Sequence, residues 1–179
     1  GVMNPGSDVD LLFLTSVPSG KVSKRVSEVI CEMQNIVWDL GFKFLTSTRS
    51  IAECLNEARA EPQSRTALFD ARFLIGEEEL FKKFQTRFRK TCIEKDKEAF
   101  FEERRLDINS RHAKWSHTVF LQEPNIKDSP GTLRDYHNLE WIIDAEAGTR
   151  SMTELVSRRI LSRLARRELK DAFNFLHRV

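Results

Sequence analysis

Two aspartates one residue apart, Asp8 and Asp10, open an apolar run near the start of the chain, in the stretch GSDVDLLFL. In an extended strand, residues i and i+2 project from the same face, so both carboxylates point together while Val9 points away. Carboxylates held that close repel one another unless something positive lies between them. A divalent cation that prefers oxygen ligands, Mg²⁺ or Mn²⁺, resolves the repulsion. Such a pair suits phosphoryl and nucleotidyl transfer, where the cation neutralises charge on a triphosphate. Just upstream, Gly6 allows close backbone approach and Ser7 can donate to a phosphate oxygen. The alternative reading of the same residues is a solubilised strand edge or a capped turn.

The elements that must position these acids read as a small α/β piece. DVDLLFLT is a short continuous apolar run, which predicts a buried strand. SVPSGK is a turn, punctuated by Pro18 and Gly20. From Lys21 to Leu40 the apolar residues fall on one helical face, and Gly41 is placed to end that helix. FKFLTST then alternates as a second strand, which completes a βαβ-like start.

Beyond Arg49 the pattern turns helical. Ser50 with Glu53 predicts a capping box for IAECLNEARA, and Pro62 breaks that helix or begins the next. QSRTALFDARFLIG reads as a third helix with Leu68, Ala71 and Leu74 inward and Gly76 as its stop. EEELFKKFQTRFRK is a fourth, its Leu80, Phe81, Phe84 and Phe88 stripe being the ordinary signature of a core face. KEAFFEERRLDINSRHAKW extends the helical region. The stretch LQEPNIKDSPGTLRDYHNLEWI interrupts it with two prolines and a Ser-Pro-Gly turn, and a long ordered loop there suggests binding. A helix resumes at TLRDYHNLEWIIDA with Thr132 as its cap, and a last one runs from about Ser157 to Leu176. The arginines of that last helix (Arg158, Arg159, Arg163, Arg166, Arg167) read as a solvated face. The fold class expected is therefore α/β followed by an all-α bundle, with domains at residues 1–50 and 51–179.

Composition narrows the function classes. With 40% hydrophobic and 31% charged residues in 179, the chain can bury a core and is neither disordered nor fibrous. A net charge of +2 is too mild for a nucleic-acid-binding surface. No apolar run approaches the roughly 20 residues needed to cross a bilayer, and no signal peptide is evident. Cys31, Cys54 and Cys92 show no metal spacing and read as reduced, cytoplasmic cysteines. The four histidines form no HExxH or His-Asp pattern, and neither GxGxxG nor a Walker loop is present.

GSDVDLLFL resembles the carboxylate motif of the polymerase-beta-type nucleotidyltransferase superfamily. STRSIAECLNEARAEPQSRTALFDARFLIGEEELF, RHAKW and LQEPNIKDSPGTLRDYHNLEWI are together similar to the bifunctional uridylyltransferase/uridylyl-removing enzymes that modify the nitrogen-signalling protein PII. The similarity runs over practically the whole chain. It implies a polymerase-beta-like sheet with flanking helices, incomplete at its N-terminal side, and a helical region for nucleotide and substrate at 51–179. It implies Mg-dependent transfer of UMP from UTP to a tyrosine hydroxyl of a PII-type protein in the cytoplasm. It also implies that only the transferase portion is present, the hydrolase and regulatory domains lying beyond Val179. Carried over by position, Asp8 and Asp10 become catalytic metal ligands, and Gly6 and Ser7 the turn before them. Glu123, Asn125, Lys127, Gly131, Arg134 and Asp135 match the signature loop, with Asn125, Lys127 and Arg134 as nucleotide-binding candidates. Asp135 is open to ligand contact, to pairing or to a capping role.

Three departures keep a second reading open. Val2 stands where the family has an upstream glutamate, Lys43 where a third carboxylate is expected, and Gly131-Thr132 where a glycine pair is expected. A cation in place of an acidic metal-site residue disfavours a second Mg²⁺. The alternative is a catalytically degenerate relative that serves as a nucleotide-binding or protein-interaction module.

Overall fold

The computed structural model describes residues 9–41 and 44–178. Gly6, Ser7, Asp8 and Lys43, as well as Val2, lie outside the described residues. The chain divides into two compact units, Gly1–Cys92 and Ile93–Val179, and passes from one to the other in a π-helical turn, Arg89–Glu94.

The first unit begins with the expected strand, helix and strand. β1 (Val9–Thr15) pairs in parallel with β2 (Phe44–Ser50), Asp10 opposite Leu45 and Thr15 opposite Ser50. Between them, a 3-10 turn at Ser19–Lys21 precedes α1 (Lys24–Asp39). Ser23 caps α1 by accepting from the Val26 N–H, and Gly41, at φ +76, turns the chain back toward β2. β1 is half-buried rather than buried as expected, because two strands and one helix cannot enclose both faces of a parallel sheet. Its residues Leu11 and Phe13 face α1, where they line a small cavity with Met33, Val37 and Trp38.

The buried centre of this unit lies instead among three helices. α2 (Ile51–Ala60) starts on the predicted capping box: Glu53 N–H donates to Ser50 Oγ, and Ser50 N–H donates back to Glu53 Oε2 at 2.8 Å. Glu53 also accepts from the N–H and hydroxyl of Ser19, so one carboxylate ties the 3-10 turn to the start of α2. Pro62 occupies the first turn of α3 (Pro62–Phe69), where a missing N–H costs nothing. α4 (Glu78–Phe88) buries Phe84 and Phe88, whose rings lie 5.7 Å apart, alongside Cys54, Leu55 and Ala58 of α2.

α3 is shorter than its apolar spacing predicts. It closes at Phe69, where Asp70 places a negative charge against the negative end of the helix dipole. Leu74, expected inward, is 64% exposed, and Phe73 leaves the helix register to meet Phe81 at 5.8 Å.

In the second unit, α5 (Lys97–Ala113) packs on α6 (Leu133–Ala147) around Phe100 and Trp141. The Arg104 guanidinium sits 5.8 Å from the Phe100 ring and 5.7 Å from the Trp141 ring, a cation–π arrangement that allows its burial. Gly148 closes α6 at φ +75. The last helix, expected from about Ser157, starts only at Arg163 as α8 (Arg163–Leu176), and a separate short helix, α7 (Met152–Ser157), precedes it. Arg159 turns left-handed at φ +60, the Ile160 N–H reaches back to the Leu155 carbonyl, and Ser162 caps afresh. Phe173 of α8 stacks on Tyr136 of α6 at 4.4 Å. Among the described residues, no helix is long and apolar enough to cross a membrane.

Candidate functional site

Asp10 is the described member of the aspartate pair. Parallel partners share a face, so Asp10 and Leu45 lie on the side of the sheet turned away from α1. Asp10 is exposed, and no described residue forms an ion pair or side-chain hydrogen bond with it. A hard, exposed carboxylate on a strand is chemically suited to a cation. Among the described residues, no three His, Cys, Asp or Glu side chains gather as a metal cluster.

The signature loop is built more fully. Asn125 opens it with an Asx turn: its Oδ1 accepts from the backbone N–H groups of Lys127 and Asp128, both at 2.9 Å. The buried Ser129 closes the same turn, its Oγ accepting from the Asn125 N–H at 2.8 Å and its own N–H donating to the Asn125 carbonyl. The amide oxygen of Asn125 is thus spent on the backbone. Gly131 stands at φ +78, which favours glycine, whereas Thr132 is extended at φ −106, a conformation open to any residue. A threonine where a second glycine was expected therefore costs the backbone little. Thr132 precedes α6 as predicted but does not cap it with its side chain, because its hydroxyl donates to the Ser129 carbonyl at 2.6 Å.

Asp135 is the centre of the loop's polar contacts. Its Oδ1 accepts from Arg111 Nη2 at 2.7 Å, and its Oδ2 from the Gly131 N–H at 2.7 Å. His112 Nε2 lies 2.8 Å from the same Oδ2. Burial alone would raise the Asp135 carboxyl, but the hydrogen bonds from Arg111, Gly131 and His112 outweigh it and hold the group below the usual carboxylate range. Arg111 also reaches Asp107 Oδ2 at 3.2 Å and the Asp128 carbonyl at 3.3 Å. Asn138, fully buried, donates to Asp107 and to the Arg134 carbonyl.

The two cations of the loop are neighbours through their backbones, the Arg134 N–H donating to the Lys127 carbonyl at 2.9 Å. Lys127 is exposed, and Arg134 Nε lies a loose 3.8 Å from Asp128 Oδ1. Glu123 is exposed. Sequence reasoning assigned no role to Arg111 or His112. Their signal was faint: two basic residues in the last turn of α5, where the helix dipole alone would account for them.

Residues 99–179, the segment that carries this loop, match the family model described as GlnD PII-uridylyltransferase. Two curated proteins named bifunctional uridylyltransferase/uridylyl-removing enzyme, from Burkholderia mallei and Burkholderia pseudomallei, are each 36% identical to the chain over 177 residues. That is 98% of this chain and 20% of each relative. The chain carries a partial segment of the PII-uridylyltransferase family. It spans about a fifth of the length of those curated uridylyltransferases. No solved structure matches it. The family is one of nucleotidyltransferases, and the alignment reaches across both the aspartate strand and the signature loop.

Proposed function

We propose that this chain is the transferase portion of a cytoplasmic enzyme that moves UMP from UTP to a tyrosine hydroxyl of a PII-type protein. The observation that carries the reading is the 36% identity over 98% of the chain, since one alignment joins the aspartate motif to the signature loop. On this reading the first unit belongs to a polymerase-beta-like sheet, and Asp8 and Asp10 hold Mg²⁺ or Mn²⁺. The exposed carboxylate of Asp10, without a partner among the described residues, suits that role. A bound cation supplies charge neutralisation along the triphosphate. Gly6 and Ser7 admit a phosphate oxygen to the turn before β1. Lys127 and Arg134 offset phosphate charge from the loop, and Asn125 shapes the turn that carries Lys127. Three free cysteines agree with a reducing compartment.

A second reading stays in view because Lys43 occupies the place of a third carboxylate: a degenerate relative that binds nucleotide or protein without turnover. One set of measurements separates them. UTP is titrated calorimetrically with and without Mg²⁺, and the chain is incubated with UTP and a PII protein. The expected outcome is metal-dependent UTP binding that disappears in Asp8→Asn/Asp10→Asn, together with a UMP mass increment on PII. Binding without the increment supports the degenerate reading, and no UTP binding in either condition ends both nucleotide readings.

A further inference from the structure

The carboxylate of Asp135 has no place in the proposed chemistry, yet it gathers more contacts than any other side chain of the loop. One of its oxygens takes Arg111 and the other takes both His112 and the Gly131 N–H, all within 2.8 Å. Arg111 is 8% exposed, and its three guanidinium nitrogens reach Asp107, the Asp128 carbonyl and Asp135. The clamp therefore holds the loop at Asp128, at Gly131 and at Asp135. Lys127 immediately precedes the first of these points, and Arg134 lies between the other two, its carbonyl bound by Asn138. The hydrogen bond from the Arg134 N–H to the Lys127 carbonyl ties the backbones of the two cations together.

We propose that Asp135, Arg111 and His112 are positioning residues: they fix the backbone from which Lys127 and Arg134 meet the triphosphate of the nucleotide. This rests on the nucleotidyl-transfer reading above for the identity of the ligand. The clamp itself touches no ligand. Its effect on binding passes through the two cations, because a charge displaced from a preorganised position loses most of its directional hydrogen bonding.

The probe is inorganic triphosphate, titrated into the whole chain by calorimetry without metal. Asp135→Asn alone strips the buried Arg111 of its shorter carboxylate contact, leaving only Asp107 at 3.2 Å to offset its charge, and can destabilise the unit, so the paired variant Arg111→Gln/Asp135→Asn, which removes both charges, is measured beside it. The paired variant is expected to bind triphosphate about tenfold more weakly while its circular dichroism matches the parent. In a background of Lys127→Ala/Arg134→Gln, the same pair of substitutions is expected to change affinity by less than about twofold. A loss of equal size in both backgrounds, or no loss in either, overturns the proposal. If the parent chain binds no triphosphate, the nucleotide reading falls instead. Amide hydrogen exchange then decides the clamp: exchange at Lys127, Gly131 and Arg134 that is unchanged in the paired variant overturns it, and exchange about tenfold faster supports it.

Discussion

At the scale of single residues, Glu53 shows how one carboxylate can organise two elements. Hydrogen bonds from the Ser19 hydroxyl and from the N–H and hydroxyl of Ser50 lead the effects that lower its carboxyl to about 2 from an ordinary 4.5. A carboxyl depressed by folding contributes stability that is present above its unfolded value and lost as pH falls through the folded one. The chain is therefore expected to lose thermal stability between about pH 4.5 and about pH 2, with Glu53 among the groups responsible. Glu53→Gln is expected to melt lower at pH 7 and to show a shallower slope across that window in calorimetric scans. The cysteines make a second test. Cys54 is fully buried, and burial leads the effects that push its thiol up to about 11. Cys92 is buried and Cys31 exposed. Iodoacetamide at pH 8 is expected to label Cys31 within minutes and to spare the other two until denaturant is added, as read by peptide mass spectrometry.

At the scale of elements, the helix boundaries follow local chemistry where a cap is present and depart from it where tertiary contacts compete. The Ser50–Glu53 box and Pro62 place α2 and α3 as expected, because each signal acts within one turn. The end of α3 was hidden because Phe73 stacks on Phe81 eight residues later rather than continuing the helical stripe. The break between α7 and α8 was hidden because the left-handed residue there is Arg159, not a glycine. Arg159 is exposed and its conformation favours glycine, so Arg159→Gly is expected to stabilise the chain by about 0.5–1 kcal/mol in urea unfolding. Ser50→Ala removes an oxygen that accepts from Glu53 and a hydroxyl that donates to it, and is expected to cost about 1 kcal/mol in the same measurement.

At the scale of the whole molecule, burial is uneven. The first unit keeps its apolar interior among α2, α3 and α4, whereas Val26, Val29, Met33 and Ile36 of α1 are each more than 40% exposed. Phe84, at 1% exposure, anchors that interior. Phe84→Ala is expected to destabilise the chain by about 3–5 kcal/mol in urea unfolding, the usual cost of emptying an aromatic core position. A similar truncation on α1, Ile36→Ala, is expected to cost less than about 1 kcal/mol, since little of that side chain leaves water on folding.

The sequence by itself determined the βαβ start, the capped helices and the phenylalanine stripe, because periodicity and caps act over a turn or two of chain. It also pointed to the family, through Glu-Pro-Asn-x-Lys and Pro-Gly-x-Leu-Arg-Asp, whose spacing survives in one dimension. Only the tertiary structure decided what Asp135 pairs with. Its partner Arg111 lies 24 residues away, and nothing local ranks that pair above the other charges of the loop. Likewise, Asn125 and Lys127 look equivalent as ligand candidates in sequence, but the fold spends the oxygen of one on its own backbone and leaves the other exposed. Pairing across α5 and the loop depends on how the chain packs, and packing is a property of distant residues brought together.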